Sequence, residues 1–146
     1  MTDRKMPSRK NREIAWRAHK VLWRVSGGRV GTRATGMPVL ELITTGRKSG
    51  VSRSVLLPYL TEGDSYVVVA SNAGDPRHPA WWLNLQADPA AEVVAGRNRQ
   101  RVVAREAEGD ERAALWQRAV EMSSGYATYA EGLERRIPVV VLDPAG

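Results

Sequence analysis

The stretch TTGRKSG, residues 44–50, sets Arg47, Lys48 and Ser49 between Gly46 and Gly50, and Arg53 follows shortly after. Glycines at both ends let the backbone turn tightly and approach a ligand closely. Successive N–H groups in such a turn can form an anion-binding concavity. Arg47 and Lys48 add positive charge, and an arginine can grip a phosphate through two parallel N–H groups. Thr45 and Ser49 add hydroxyls. The spacing of a P-loop is absent. The residues alone leave two readings equal: a cradle for an anion, or a hairpin with a solvated basic tip.

A second stretch, SNAGDPRHPAWWLNL, covers residues 71–85. An apolar strand would deliver Ser71 to a Gly/Pro loop, and loops at strand ends often carry binding groups. Trp81 and Trp82 are adjacent, so they point in different directions on a helix. One can be core while the other lines a pocket for a planar ligand, or both can be core. His78 has no acidic or nucleophilic partner in the motif, which argues against a catalytic role. A third stretch, MSSGYATYAEGLERRIP at residues 122–138, places Tyr126 and Tyr129 on one helical face. A tyrosine there can stack on a ligand, donate a hydrogen bond to an oxygen, or act as a general acid. The bland alternative is the edge of a core with both hydroxyls in water.

These residues need elements to hold them. Ile14, Ala18, Val21, Leu22 and Val25 recur at helical spacing over residues 13–25, and Gly27-Gly28 ends that helix. Residues 39–45 predict a strand, 46–50 a turn, 51–60 a second strand and 65–71 a third, mostly buried. Pro58 marks an edge or bulge. A short helix is expected at 79–85 with Pro79 in its first turn. A hairpin follows around Gly96-Arg97-Asn98. Asp110 is expected to cap a helix running to about Glu121, with Ala114, Leu115, Ala119 and Met122 inward. A further helical stretch carries the two tyrosines, and residues 137–142 form a closing strand. Hairpins dominate and no alternating βαβ run occurs. The expected architecture is α+β: a split or half barrel of about six mostly antiparallel strands with helices outside.

Composition narrows the chemistry. The chain has 146 residues, enough for one domain with a real core. It has no Cys and only His19 and His78, which removes thiolate chemistry, disulfides and any ordinary structural zinc site. No apolar run nears membrane-spanning length and the N-terminus lacks a signal-peptide core, so a cytoplasmic protein is expected. Residues 1–33 hold ten Lys/Arg against Asp3 and Glu13, a net +8, so residues 34–146 carry −2 of the chain's +6. The division is therefore a basic N-terminal arm with an amphipathic helix (1–33) and a binding domain (34–146). The arm's helix reads as one packed on the domain with a solvated basic face, or as one touching an anionic membrane surface. No nucleic-acid motif accompanies it.

Taken together and in order, TTGRKSG with Arg53, VVVAS running into a Gly loop, HPAWWLNLQADP, the Tyr126/Tyr129 segment and RRIPVVVLDP resemble one family. The chain resembles the deazaflavin-dependent nitroreductase family, split β-barrel oxidoreductases that use coenzyme F420, over about residues 36–144. The resemblance implies that Arg47, Lys48, Ser49 and Arg53 hold the phosphate and acidic tail of F420. It implies that Ser54, Val55, Leu56, Leu57 and Pro58 line the deazaflavin groove, with Val69, Ala70, Ser71 and Asn72 beside the ring. Ala80, Trp81, Trp82, Leu83 and Asn84 would pack against the cofactor, and Tyr126 would lie over the substrate side. The family's nitroreductases often have Lys where this chain has Asn72, and an extra Tyr near Ser123, so nitroimidazole reduction is less expected than cofactor binding.

The function so implied is hydride transfer from reduced F420 to an electron-poor acceptor: a quinone, an enone or another activated alkene. Tyr126, Ser71 or water would deliver the proton, and no metal is needed. Two alternatives share the barrel: an FMN-dependent reductase, and a non-catalytic carrier of F420, a fatty acid or another amphiphile. Peripheral membrane contact through residues 1–33 and a homodimer are further expectations.

Overall fold

The computed structural model describes residues 37–145. The basic arm and the helix expected over residues 13–25 lie outside them. Seven strands form one antiparallel sheet: β1 (Val39–Thr45), β2 (Ser52–Pro58), β3 (Leu60–Glu62), β4 (Ser65–Val69), β5 (Ala90–Ala95), β6 (Asn98–Glu106) and β7 (Val139–Pro144). Three helices connect them: α1 (Ala80–Ala87), α2 (Gly109–Met122) and α3 (Gly125–Glu131).

The strand order is β2-β1-β5-β6-β7-β4-β3. The two edges, β2 and β3, are consecutive in the chain, separated only by Tyr59. A flat seven-stranded sheet would put its edges roughly 29 Å apart, yet Pro58 and Leu60 can be no more than about 7 Å apart. The sheet must therefore curl until its edges meet. β2 and β3 do not pair with each other, so the barrel is split at that seam, as expected.

Burial follows the period-two pattern. On one face Leu40, Leu42, Val93, Val102, Val140 and Leu142 form the main core with Val68, Ala70, Trp81, Trp82 and Leu85. Each fully buried Leu or Val contributes about 1.5–3 kcal/mol from apolar burial. Helix α1 thus packs its tryptophans into the barrel. On the outside, Leu115 of α2 packs with Val67, Val139 and Val141.

Several elements differ from expectation. Residues 51–60 are not one strand, because the chain breaks at Tyr59, whose N–H donates to the Pro38 carbonyl, before β3 begins. The barrel therefore has seven strands rather than about six. Asp110 does not cap α2; the N-cap is Glu108, without a side-chain cap bond, and Gly109 enters at φ +58°. Asp110 lies in the first turn, where its charge opposes the helix dipole favourably. Ala114 is exposed, and α2 buries Leu115 and Ala119. Among the described residues no helix is long and apolar enough to cross a membrane.

Candidate functional site

Helix α1 brings two loops to one end of the barrel. It begins directly after the Ser71–Pro79 loop, and Asn84, one turn on, reaches the Gly46–Gly50 turn. Asn84 is 4% exposed. Its Oδ1 accepts from the Arg47 backbone N–H (3.2 Å) and from Arg47 Nη1 (3.0 Å). Its Nδ2 donates to Thr44 Oγ1, also buried, at 3.2 Å. The resemblance implied Asn84 against the cofactor; in the structure its amide holds the basic turn.

The turn closes through Gly46 N–H to the Val51 carbonyl and Gly50 N–H to the Gly46 carbonyl, both 2.8 Å. The Val51 N–H donates to Ser49 Oγ at 3.2 Å. A Cβ on Gly46 would lie 2.7 Å from Ser49 Oγ and 3.1 Å from the Val51 carbonyl oxygen, so the turn requires glycine there. The backbone N–H groups of Lys48 and Ser49 find no partner among the described residues. Arg47, Lys48 and Arg53 are all exposed. Arg53 lies directly across from Thr44 in the β1–β2 register, which sets it on the same face as Asn84's partner. The structure thus collects Arg47, Lys48, Ser49 and Arg53 into one fixed cationic feature with spare donors.

Strand β2 carries Ser54 through Pro58, and the pleat divides them. Val55 and Leu57 face the barrel core. Leu56 is fully buried on the opposite face with Val39 and Val94. Alternation prevents the five side chains from sharing one ligand-facing surface. The run expected to line a single groove therefore splits, with Ser54, Leu56 and Pro58 on one side and Val55 and Leu57 on the other.

After Val69 and Ala70 the chain leaves β4 and forms a tight loop. Asn72 and Ala73 have φ of 49° and 53°. The left-handed region costs a non-glycine residue about 1–2 kcal/mol, less for Asn, so Asn72 suits this position. Its Nδ2 donates to the Arg77 carbonyl at 3.0 Å. Gly74, at φ +80°, lies under the Tyr129 ring, and a Cβ there would sit 2.9 Å from Tyr129 Cδ1. The Asp75 carboxylate accepts from the Arg77 N–H and side chain.

Arg135, from the α3–β7 connection, lies behind this loop. Its Nη1 donates to the Ala70 carbonyl (3.2 Å), Nη2 to the Ser71 (2.9 Å) and Asp75 (3.0 Å) carbonyls, and Nε to the Asp75 carbonyl (3.2 Å). His78 Nδ1 is 3.3 Å from Nη1. A guanidinium only donates, so Nδ1 is the acceptor and the ring proton sits on Nε2. Burial, and then the Arg135 charge, push the His78 pKa below its ordinary value. In the sequence Arg135 enters only as part of RRIPVVVLDP, with no role of its own, and Asn84's clamp is not foreseen; an Arg pair ahead of a strand carries no periodic signal.

Ser71 is buried (8% exposed) at the head of this loop. Trp81 and Trp82 are both buried in the barrel core, so the reading in which both are core is the one observed. Ala80 is exposed and Leu83 half-buried. Tyr126 is 6% exposed and packs with Val69, Ala119 and Ile137 beneath Tyr129. Burial pushes its hydroxyl up to about 12, with Tyr129 adding to the effect. A separate depression, lined by Thr61, Asp64, Tyr66 and Asn98, contains none of these residues. Among the described residues no group of three His, Asp or Glu could hold a metal ion.

Comparison with known proteins gives the chain's family and fold relatives. The profile of the F420H(2)-dependent quinone reductase family matches residues 15–144. The chain is 41% identical over 130 residues to an F420H(2)-dependent quinone reductase of Mycobacterium tuberculosis, covering 86% of this chain and 87% of that one. A solved structure of an F420-H2 dependent reductase (FDR-A) superposes with a TM-score of 0.68 at 41% identity, over 73% of this chain and 94% of that one. Another, described as a domain-swapped dimer, gives a TM-score of 0.70 at 36% identity, over 94% of this chain and all of that one, 100%.

Proposed function

The chain belongs to the F420H(2)-dependent quinone reductase family, and we propose that it reduces a quinone to the hydroquinone with reduced coenzyme F420. The observation that carries the reading is the exposed cationic turn, fixed by Asn84 and, among the described residues, left with unused backbone donors. A phosphate-bearing, acidic tail needs that arrangement on a domain whose residues 34–146 are otherwise slightly acidic. When bound, the reduced deazaflavin supplies the hydride that the acceptor takes up together with one proton.

The protein's part is binding, orientation and exclusion of water. Arg47, Lys48, Ser49 and Arg53 grip the tail. Strand β2 offers Val55 and Leu57 on one face and Ser54, Leu56 and Pro58 on the other, and its outer edge offers backbone groups to a planar ring. The β4 end, from Val69 to Asn72, borders the ring from the other side. Trp81 and Trp82 act from beneath, by filling the barrel end on which the site rests. A tyrosine whose hydroxyl is pushed to about 12 stays protonated, so Tyr126 serves as a hydrogen-bond donor to the acceptor; the proton comes from water, and the buried Ser71 hydroxyl can relay it. Enones and other activated alkenes are acceptable by the same chemistry; Ser123 and Asn72 make nitro compounds poorer acceptors.

Residues 1–33, with their net +8, would hold the enzyme at an anionic membrane surface where lipid-soluble quinone is concentrated. The relative described as a domain-swapped dimer supports a homodimer. The first test is a fluorescence titration with F420 and, in parallel, FMN, followed by quinone reduction with reduced F420. F420-selective binding with turnover is expected. Preference for FMN, or F420 binding without reduction of any quinone, would overturn the reading.

A further inference from the structure

We propose that Arg135 is a positioning residue for hydride transfer, acting by fixing the Ser71–His78 loop rather than by touching cofactor or acceptor. The proposal rests on the functional reading above, which sets this loop beside the deazaflavin.

The donor count decides against direct binding. A guanidinium has five N–H groups. Arg135 directs its nitrogens at five acceptor contacts: the Ala70 and Ser71 carbonyls, the Asp75 carbonyl twice, and His78 Nδ1. The fork is saturated, so no donor remains for a ligand. All four protein elements it grips lie on the one loop, and the residue itself belongs to a different segment, 57 to 65 positions away in sequence.

The bonds made within the loop are short-range. Gly74 N–H donates to the Ser71 carbonyl and Asp75 N–H to the Asn72 carbonyl, both 3.0 Å. Asn72 Nδ2 reaches Arg77, and Arg77 reaches Asp75. These bonds shape the loop from within, and the Ala70 N–H, donating to the Pro138 carbonyl at 2.9 Å, ties its start to the α3–β7 segment. Arg135, with the Tyr129 ring against Gly74, joins that shape to the α3–β7 segment. Three carbonyl oxygens converging on one point repel each other unless a cation sits among them. A planar fork can serve all three, whereas an ammonium on a flexible stem serves fewer in fixed directions. The strained backbone at Asn72 and Ala73 persists because the surroundings over-determine it. Releasing Arg135 lets the loop relax, and a shift of about 1 Å near reacting atoms can cost on the order of 100-fold in rate.

The test uses the full-length protein with Arg135→Met and Arg135→Lys. Hydrogen exchange in the peptide spanning residues 70–78 should accelerate in R135M, with the basic turn and β6 unchanged. At saturating quinone, kcat should fall about 10- to 100-fold, while the dissociation constant for F420 stays within about threefold, because the tail grip is remote from the change. R135K should recover part of both losses. Unchanged exchange, or unchanged kcat despite faster exchange, would overturn the proposal. A rise in the F420 dissociation constant with kcat preserved would overturn it also, by making Arg135 a binding residue. Should R135M fail to fold, R135K decides alone: it must be native by melting temperature and still show the loop-specific exchange and the kcat loss. If the wild type binds no F420, the functional reading fails, and the exchange experiment still judges the clamp.

Discussion

Two loops meet helix α1, and an arginine organises each in an opposite way. Arg47 spends one guanidinium N–H and its backbone N–H on Asn84 and leaves the rest of its fork exposed. Arg135 spends every donor on its own protein. The first loop is tied down so that a charge stays available; the second is tied down by the charge itself. An arginine's unused donors, rather than its presence, separate a binding residue from an architectural one. The same contrast runs through the backbones. Among the described residues the basic turn leaves the Lys48 and Ser49 N–H groups without a partner, while the other loop holds left-handed Asn72 and Ala73 next to Gly74, which packs against the Tyr129 ring.

The sharpest way to break this contrast is to strip charge from the first loop. Arg47→Ala with Lys48→Ala should raise the F420 dissociation constant about 100-fold, since charged hydrogen bonds contribute about 1.5–3 kcal/mol each. Saturating cofactor should restore kcat. Thermal unfolding should barely move, because both side chains are exposed. Unchanged F420 affinity would return the turn to a solvated hairpin tip.

The second loop should respond in stability instead. Gly74→Ala forces a Cβ to 2.9 Å from Tyr129 Cδ1 at φ +80°. The expected loss is about 2 kcal/mol, combining left-handed strain with displacement of the ring. Denaturant unfolding reads it directly, and F420 affinity should change less than in the charge-stripped variant. A fully stable G74A would mean that the Tyr129 contact does not hold the loop.

The two loops were not equally legible in the sequence. Residues 39–45 were expected as a strand and are one, because apolar alternation and a Gly-bounded turn act locally. Arg47, Lys48, Ser49 and Arg53 were legible for the same reason: charge and glycine spacing need no partner to be seen. The break at Tyr59 was not legible, because it arises from barrel closure, a constraint spanning all seven strands. Asp110 looked like a cap, yet Gly109 admits a left-handed entry that starts the helix two residues earlier. The resemblance put all of Ser54–Pro58 along one groove, and the pleat sends their side chains to two faces. Arg135 was hidden most deeply, since its acceptors are backbone carbonyls some 60 residues upstream, at Asp75 and beyond. Side-chain identity carries no record of where carbonyls will converge.

Tyr126 tests the border between the two regions with a smaller effect. It packs under Tyr129 with Val69, and its hydroxyl is pushed to about 12 by burial. Tyr126→Phe keeps the ring and its packing. The expected loss in kcat is below about threefold, against the ~100-fold or more that a general acid supplies, with F420 binding and melting temperature unchanged. A loss of two orders of magnitude would make the hydroxyl the proton source after all.

The smallest effect should come from His78, and its sign is fixed by its surroundings. Arg135, from the α3–β7 connection, and Glu106, at the end of β6, are the charged groups that act on it. Burial and Arg135 lower its pKa; Glu106 opposes them weakly. The folded value therefore lies below the unfolded 6.5. Above the unfolded value both states hold a neutral ring, and the contribution is fully present. As pH falls below it, the unfolded chain takes up the proton first, so loop stability declines and is lost as pH passes the folded value. Protonation at Nδ1 also removes Arg135's fifth acceptor and sets two cations 3.3 Å apart. Exchange in residues 70–78, corrected for its intrinsic pH dependence, should be a few-fold faster at about pH 5.5 than at about pH 8. His78→Asn offers an acceptor that does not titrate, so it should abolish that difference while leaving the basic turn untouched. A pH difference that survives H78N would assign it to another group and detach His78 from the clamp.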